Sequence, residues 1–334
     1  MARVLNPDDV RPLLQTLSDA RWHSGARLAQ DAGVTRAGLS KRIHRIMDLG
    51  LDVETRQGRG YRLAQPLDLL DTDIIVGALG ERARSRLPVR VLFTTDSTNR
   101  QLLDTDAAGD PQALLAEHQT AGRGRRGRGW HSPFGANLYL SLAWSFARWP
   151  AALTALPLVL GVAAARVLRG LGAHDLGLKW PNDLVTGGRK LGGILVEQRG
   201  EAGGACRTVQ GLGLNVSMQH APGVGQPWTR LVEVLGAATP PRNRLAGLLC
   251  DAWFNALERF AAEGFAPFSA DWEAFDLTFK RAVTVHAADG ATQGVAQGVD
   301  ENGALKLRTA GNHVLRILSG DVSLRLSDAA GDGP

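Results

Sequence analysis

The pattern of hydrophobic and polar positions divides the chain into three stretches. Residues 1–65 combine short amphipathic helical patterns with a Gly-containing hairpin. Residues 66–280 mix strand-like alternation, as in NLYLSLAW, with long helical periods, as in RNRLAGLLCDAWFNALERFAAEG, which is typical of an α/β or α+β unit. Residues 281–328 hold short alternating runs separated by DG, NG, GN and SG, the pattern of a small β-barrel or sandwich. We therefore predict three domains with these bounds.

The first stretch has the signals of a helix-turn-helix. Ser24 and Thr35 are the expected N-caps of two short helices, and Gly33 ends the first helix. The second helix is amphipathic: Leu39, Ile43, Ile46 and Met47 are expected to face inward, and Arg36, Ser40, Lys41, His44 and Arg45 outward. Together with Thr35, we expect the outward set to contact the major groove of DNA.

A wing follows this helix pair. The segment DVETRQGRGYRL predicts two strands around Gln57-Gly58, and Arg56, Arg59 and Arg62 suit phosphate contacts. Residues 1–65 carry 11 Lys and Arg against 7 Asp and Glu, so most of the net charge of +5 lies here. This asymmetry favours operator DNA as a partner over a purely structural or protein-docking winged helix, which is the alternative interpretation.

Composition excludes several classes of protein. The chain has 334 residues, of which 44% are hydrophobic and 21% are charged, so neither wholesale disorder nor a disulfide-stapled scaffold is expected. The most apolar stretch, 151–165, is too short and interrupted to span a bilayer, and no secretory signal opens the chain. We predict a cytoplasmic protein with no membrane partner, in which Cys206 and Cys250 are reduced thiols.

The segment AGRGRRGRGW, which begins at Ala121, carries the strongest motif. Gly122, Gly124 and Gly127 satisfy GxGxxG, but the loop leads into an alternating strand, whereas a dinucleotide-binding loop opens into a helix. Glycines interleaved with four arginines instead indicate a mobile cationic loop that closes over a polyanionic ligand. A disordered nucleic-acid tether is disfavoured because strand patterns flank the loop on both sides.

Two further clusters add positive charge. The segment KWPND, 179–183, is a strand end broken by proline, and RKLGGILVE, 189–197, restarts a strand with Lys190 at its mouth. A single lysine there is usually a solvated strand end. Beside an arginine loop it is a second cation source, of the kind that an adenylate-forming reaction needs at the reacting phosphate.

These segments carry a family resemblance. DSTN, AEHQTAGRGRRGRGW, LKWPNDL, RKLGGILVE and GLGLNV resemble, in the same order, the motifs of biotin protein ligases. HSGARLAQDAGVTRAGLSKRIHRIMDLGLDV and SGDVSLRL extend the resemblance to bifunctional biotin protein ligase and biotin operon repressor proteins over nearly the whole chain. The resemblance implies an α+β multidomain fold: an N-terminal winged helix-turn-helix, a central catalytic domain of the class II synthetase and biotinyl/lipoyl ligase type, and a C-terminal SH3-like barrel.

The activity implied by the resemblance has two steps. Biotin and ATP with Mg²⁺ give biotinoyl-5'-AMP and pyrophosphate, and a lysine of the biotin carboxyl carrier protein then accepts the biotinoyl group. Biotinoyl-5'-AMP is expected to act also as the corepressor of a homodimer on operator DNA. The resemblance places this dimer at the strand Gly193–Glu197, on a surface that the carrier protein shares.

The resemblance also assigns roles to individual residues. Ser97, Thr98, Asn99 and Gln119 are expected to line a biotin slot, and Gly122, Arg123, Gly124 and Arg125 to cover the valerate and the phosphate. Lys190 is expected to bridge the carboxylate and the α-phosphate, and Asn182, Asp183 and Gly193 lie nearby. Asp183 has two open roles: it holds Mg²⁺ or orients the incoming lysine. Asn215 and Trp228 are weaker candidates for the nucleotide side.

Two other function classes compete with the ligase. A transcription factor whose middle domain only senses a ligand has no need of Arg125 and Lys190, so their presence favours catalysis. A lipoate or octanoate ligase is not expected to carry GRGRRG followed by KWPND. His118 and Thr120 depart from the residue types expected around Gln119, but neither departure removes a charged role.

Overall fold

The computed structural model describes residues 7–105, 111–200, 204–287, 290–318 and 323–326. Its helices are α1 (Pro7–Leu17), α2 (Gly25–Asp31), α3 (Arg36–Asp48), α4 (Thr72–Gly77), α5 (Glu81–Arg86), α6 (Thr98–Asp104), α7 (Leu156–Gly170), α8 (Leu231–Leu235), α9 (Arg242–Glu263) and α10 (Ser269–Phe275). Short 3₁₀ turns lie at Arg125–Gly127, Leu153–Ala155, Gly236–Ala238 and Ala266–Phe268.

The strands form three sheets. A two-stranded hairpin holds β1 (Val53–Arg56) and β2 (Gly60–Leu63). The central sheet has the order β3-β4-β5-β9-β8-β7-β6, with bounds Val89–Thr95, Gln112–Gln119, Leu138–Phe146, Cys206–Leu214, Arg189–Gly200, Asp183–Thr186 and Gly177–Lys179. The C-terminal sheet has the order β13-β12-β11-β10-β14, with bounds Val314–Ile317, Leu305–Arg308, Gly290–Val299, Ala282–Ala287 and Ser323–Leu326.

The predicted winged helix is present in α1–α3 and the β1–β2 hairpin. Thr35 caps α3 as predicted, since its hydroxyl accepts a hydrogen bond from Gly38 N at 3.1 Å. Ser24 occupies the N-cap position of α2, but its side chain makes no capping hydrogen bond. The inward prediction was wrong for Met47, which is 48% exposed, because it lies about 80° around the helix from Leu39, at the edge of the apolar face.

Helices and sheet of the central domain enclose one large apolar core. In the seven-stranded sheet only β3 and β4 are parallel. The paired helices α7 and α9 bury Leu160, Val162, Trp253 and Phe254 against one face, and α6 packs on the other face against β5 and β9. The candidate active site described below lies on this second face, beside α6.

The first helix of that pair has the apolar composition of a membrane span. Leu153–Gly170 is long and apolar enough to cross a bilayer by length and composition, yet 67% of it is buried within the protein. Such burial is typical of a core helix, and we interpret it as one.

The outer domains both contact the central one. Phe93 and Phe134 join the core of the winged helix, with ring centroids 4.8 Å apart, and Leu67 N donates to Ser18 O at 3.0 Å. On the C-terminal side, Trp180 Nε1 donates to Gly303 O at 3.0 Å. The predicted α+β multidomain fold is confirmed. The exact domain bounds stay predictions, and the two outermost bounds, residues 1 and 328, lie outside the described residues.

Candidate active site and DNA-binding face

The N-terminus of α6 forms one wall of a polar slot. Ser97 is the N-cap of this helix, and the backbone N–H and hydroxyl of Thr98 donate to Gln119 Oε1 at 2.9 and 3.1 Å. Because β3 and β4 are parallel with Thr95 beside Gln119, their carboxyl ends bring these two segments together. Ser97 and Thr98 are both only 3% exposed, so the slot exists before any ligand binds.

Asn99 extends the slot toward β8 and β5. Its amide nitrogen donates to Glu197 Oε2 at 2.9 Å and to Leu195 O at 3.3 Å, and its oxygen accepts from the Ser141 hydroxyl at 2.6 Å. Gly211 makes this approach possible, because an added Cβ there would lie 2.3 Å from Asn99 Oδ1. The side chain is thus held on both ends in one orientation.

Trp130 forms the opposite, apolar wall. Its ring lies on Gly213, where an added Cβ would be 2.2 Å from Trp130 Cε2, and close to Gly193. The Lys190 ammonium is 5.5 Å from the ring centroid, in cation–π range. The indole N–H is buried without a hydrogen-bond partner among the described atoms. This wall therefore combines a flat apolar face with a donor that a ligand can satisfy.

The arginine loop, Gly122–Gly129, covers the slot. It is closed by a hydrogen bond from Gly124 N to Arg128 O at 2.7 Å, and Arg126 takes a left-handed conformation with φ of 56°. Arg123 pairs with Glu197 at 2.9 Å, and Arg125 donates to Asn182 Oδ1 at 3.4 Å. The buried Gly122 has no room for a Cβ, which would lie 2.7 Å from both Ser132 Oγ and Trp130 O. Two side-chain contacts to the β7–β8 region thus hold the loop over the site.

The second cation source lies at the mouth of the β6–β7 and β7–β8 turns. Lys190 Nζ is 2.7 Å from Asp183 Oδ1, and Lys179 Nζ is 3.7 Å from Asp183 Oδ2. Asn182 is fixed beside them by two hydrogen bonds with Ile194: its side-chain amide donates to Ile194 O, and its backbone oxygen accepts from Ile194 N. Lys179 and Lys190 therefore flank one carboxylate, and Arg125 reaches the neighbouring Asn182, so positive charge is in excess next to the Trp130 wall.

Comparison with known proteins places the chain. The Biotin/lipoate A/B protein ligase family matches residues 91–215, the biotin protein ligase C terminal domain matches 278–325, and an HTH domain matches 10–62. The bifunctional ligase/repressor BirA of Escherichia coli is 42% identical over 95% of this chain and 97% of its own length. The biotin--[acetyl-CoA-carboxylase] ligase of Mycobacterium tuberculosis is 35% identical over 78% of this chain and 97% of its own.

The chain belongs to the bifunctional biotin ligase/repressor family. A solved structure agrees with this: the biotin protein ligase from Aquifex aeolicus in complex with biotin and ATP has a TM-score of 0.61 and 29% identity, and covers 72% of this chain and 99% of its own. The predicted family and enzyme class are confirmed, and the competing interpretation as a transcription factor without enzyme activity is excluded.

In this ligase Asn215 and Trp228, the two weaker candidates for the nucleotide side, contact the backbone of Lys190. The Asn215 amide donates to Thr229 O at 3.0 Å and reaches Lys190 O at 3.5 Å, and Trp228 pairs with Lys190 through the backbone. Asn215 is buried and Trp228 is half-buried. The contacts described for Asn215 therefore tie the segment before α8 to β8, and Trp228 lies at the edge of the site.

The DNA-binding candidates of the ligase lie on α3, at its N-cap and on the β1–β2 hairpin. Six are exposed and two are half-buried: Thr35, Arg36, Lys41, His44, Arg56 and Arg59, then Ser40 and Arg45. On the wing, the Arg62 guanidinium pairs with Glu54 at 2.8 Å and lies 4.9 Å from the Trp22 ring centroid, and its phosphate contact stays a prediction. The basic surface thus consists of α3 and the hairpin tip.

A resident magnesium ion does not fit the residues around Asp183. Both carboxylate oxygens face ammonium groups, and no cluster of three or more His, Cys, Asp or Glu able to hold a metal occurs in the described ranges. Mg²⁺ prefers several oxygen ligands and usually stays bound to substrate phosphates. The arrangement suits Mg²⁺ entering as part of MgATP, with no protein site of its own.

Sequence reasoning missed five residues that build the site. Ser141, Glu197 and Trp130 lie within the motifs or strands identified above but carry no predicted role, and Gly211 and Gly213 lie in GLGLNV. The alternation of Gly with Leu in that segment was a usable signal, since glycines two apart share one face of a strand and leave it open for close packing.

Proposed function

We propose that the chain makes biotinoyl-5'-AMP and pyrophosphate from biotin and MgATP, then transfers biotin to a lysine of the biotin carboxyl carrier protein, an acetyl-CoA carboxylase subunit. In the first step a biotin carboxylate oxygen bonds to the α-phosphorus and pyrophosphate leaves. In the second the lysine amine attacks the carbonyl carbon, the bond to the phosphate oxygen breaks and AMP leaves. The observation that carries the proposal is the Lys190–Asp183 pair between the Trp130 wall and Arg125.

The polar slot supplies the biotin-binding groups. Ser97, Thr98, Asn99 and Gln119 present hydroxyl and amide groups of the kind that a ureido ring can hydrogen-bond, and the Trp130 face suits its apolar body and tail. Because these side chains already hold one another, little ordering is required when the ring enters.

Charge is concentrated where two anions must meet. The biotin carboxylate and the ATP α-phosphate repel each other, and Lys190 with Arg125 lies where their repulsion is offset. Arg123 and Gly124 then cover the adenylate together with the rest of the loop. Of the two roles open for Asp183, we propose that it orients the incoming lysine, since its oxygens already attract ammonium groups.

Repression follows from the winged helix and a homodimer with biotinoyl-5'-AMP as corepressor. A single small module offers modest affinity, so operator binding requires two copies on a palindromic site. In the sheet, β7 pairs with Arg189–Gly193 of β8, and Ile194 N donates a hydrogen bond to Asn182 O. The backbone of Gly193 on this edge is therefore already paired within the protein and is not available to a second copy. No described strand covers the same edge of β8 from Leu195 to Gly200. We propose that this edge pairs with the same edge of a second copy in the dimer, and that the dimer forms in the cytoplasm.

Transfer of labelled biotin to a purified carrier domain tests the enzyme. Label is expected on one carrier lysine only when both ATP and Mg²⁺ are present, and octanoate or lipoate in place of biotin is expected to give none. Efficient transfer of lipoate with no transfer of biotin would overturn the substrate assignment.

Operator binding tests the repressor. Affinity is expected to rise with biotinoyl-5'-AMP and fall when apo-carrier is added, and Lys41→Ala is expected to lower the salt-dependence slope by about 1. Affinity that responds to neither addition would leave the winged helix without the proposed regulatory role.

A further inference from the structure

Lys179 is a lysine of the site that the assigned roles leave unused. It ends β6 directly opposite Asp183 on β7, and its ammonium lies 3.7 Å from Asp183 Oδ2. Lys190 approaches the other oxygen, Oδ1, at 2.7 Å. Both lysine side chains are mostly buried, 23% and 17% exposed, and the Asp183 side chain is 12% exposed. The carboxylate therefore bridges two ammonium groups, one on each oxygen.

The two lysines are held differently. Lys190 is the second residue of the long strand β8 and lies beside the Trp130 wall, so turning its ammonium to a ligand carboxylate or phosphate requires only side-chain rotation. Lys179 precedes a three-residue connection, Trp180 to Asn182, in which the Trp180 ring is fully buried and donates to Gly303 O at 3.0 Å. Because this turn is packed on both domains, Lys179 stays in register with Asp183 when Lys190 leaves.

A buried carboxylate that loses its only cation partner becomes costly to keep charged and in place. Without Lys179, Asp183 would be in this situation once Lys190 binds the adenylate, since the described ion pairs of its oxygens are with these two lysines. With Lys179 on Oδ2, the carboxylate stays paired and in place, and Oδ1 becomes free to accept a hydrogen bond from another amine.

We propose that Lys179 is a positioning residue for the transfer step: it holds Asp183 while Oδ1 exchanges Lys190 for the lysine of the carrier protein. This rests on the proposed role of Asp183 in orienting that lysine. In the step itself the amine nitrogen bonds to the biotinoyl carbon, the carbon–oxygen bond to phosphate breaks with its electron pair leaving on AMP, and the surplus amine proton passes to solvent. Adenylate formation must therefore precede productive docking of the carrier lysine.

The test separates the two half-reactions in the full-length protein. Single-turnover formation of biotinoyl-5'-AMP is measured first, and transfer from added biotinoyl-5'-AMP to a purified carrier domain second. Lys179→Met is expected to slow transfer about tenfold and to change adenylate formation less than threefold, while Lys179→Arg restores most of the transfer rate. Asp183→Asn is expected to slow transfer by at least as much. In the Asp183→Asn background, Lys179→Met is expected to add less than about twofold, because it acts through that carboxylate.

Lys306→Met, at a half-buried lysine of the C-terminal sheet, is the matched control and is expected to leave both steps unchanged. If Lys179→Met lowers the melting temperature, Lys179→Gln replaces it, keeping a polar end at this position. Equal slowing of both half-reactions, with additive losses in the double variant, would mean that Lys179 has only a structural role and would overturn the inference.

Normal transfer by the Lys179 variants with slow transfer by Asp183→Asn would overturn the inference and leave the role of Asp183 intact. Normal transfer by Asp183→Asn would overturn both.

Discussion

The slot at α6 and the arginine loop face the same ligand but are built in opposite ways. In the slot, buried side chains are bonded to one another and to half-buried partners: Thr98 donates to Gln119, and Asn99 is held between Ser141 and Glu197. In the loop, the arginines are exposed or half-exposed, and two contacts tie it to the strands beyond. Buried networks are formed before binding, whereas exposed ion pairs contribute little and exchange readily. The slot therefore selects the ligand, and the loop retains it.

The largest effect is expected at Lys190, whose charge lies between the slot and the loop and is supplied by neither of them. Lys190→Ala should slow biotinoyl-5'-AMP formation by about 10²-fold or more, because the repulsion between carboxylate and phosphate is no longer offset. Single-turnover adenylation measures this. An unchanged rate in a folded variant would show that the loop alone supplies the required charge and would end the division of roles.

A smaller effect is expected from the apolar wall of the slot. In Gly213→Ala the new Cβ would lie 2.2 Å from Trp130 Cε2, so the ring must move. Overpacking of this kind costs about 2 kcal/mol, which corresponds to about thirtyfold weaker binding of biotin. Calorimetric titration with biotin measures it. Gly170→Ala, which meets no atom within 4 Å, is the control and should bind biotin normally.

The loop is expected to affect retention more than selection. Arg125→Gly removes a charge-assisted contact worth about 1.5 kcal/mol or more, so biotinoyl-5'-AMP should dissociate about tenfold faster with little change in biotin affinity. In Arg125→Lys the dissociation rate should lie between those of the unchanged protein and Arg125→Gly, since lysine keeps the charge but lacks the two-pronged guanidinium donor. A chase experiment gives the release rate. A loss of biotin affinity as large as that of Gly213→Ala would erase the contrast.

Proteolysis gives the mildest test of the same contrast. Trypsin cleavage at the exposed Arg126 and Arg128 should slow about fivefold when biotinoyl-5'-AMP is bound, because closure lowers the population of the open loop. Cleavage within the winged helix serves as the internal reference. Equal rates with and without the intermediate would mean that the loop is already closed by its contacts to Glu197 and Asn182.

Features that depend on local patterns and charge could be predicted from the amino-acid sequence alone. Alternation predicted β5 and the C-terminal strands, helical period predicted α9, and the residue type at Thr35 predicted a helix cap. The order of the motifs identified the family. Glycines and arginines at 122–128 pointed to the cationic loop because backbone freedom and charge are properties of the residues themselves.

Which groups meet depends instead on the tertiary fold. The seating of Trp130 on Gly213, the contact of Glu197 with both Asn99 and Arg123, and the exposure of Met47 depend on sheet register and helix rotation. The same holds for Asp183: its sequence neighbours left a metal and a lysine equally open, and the hairpin register set Lys179 opposite one oxygen while β8 brought Lys190 to the other. The contacts of Trp130 and Glu197 join residues far apart in the chain, and those of Asp183 join neighbouring strands. In both cases a one-residue change of register would point each side chain to the other face.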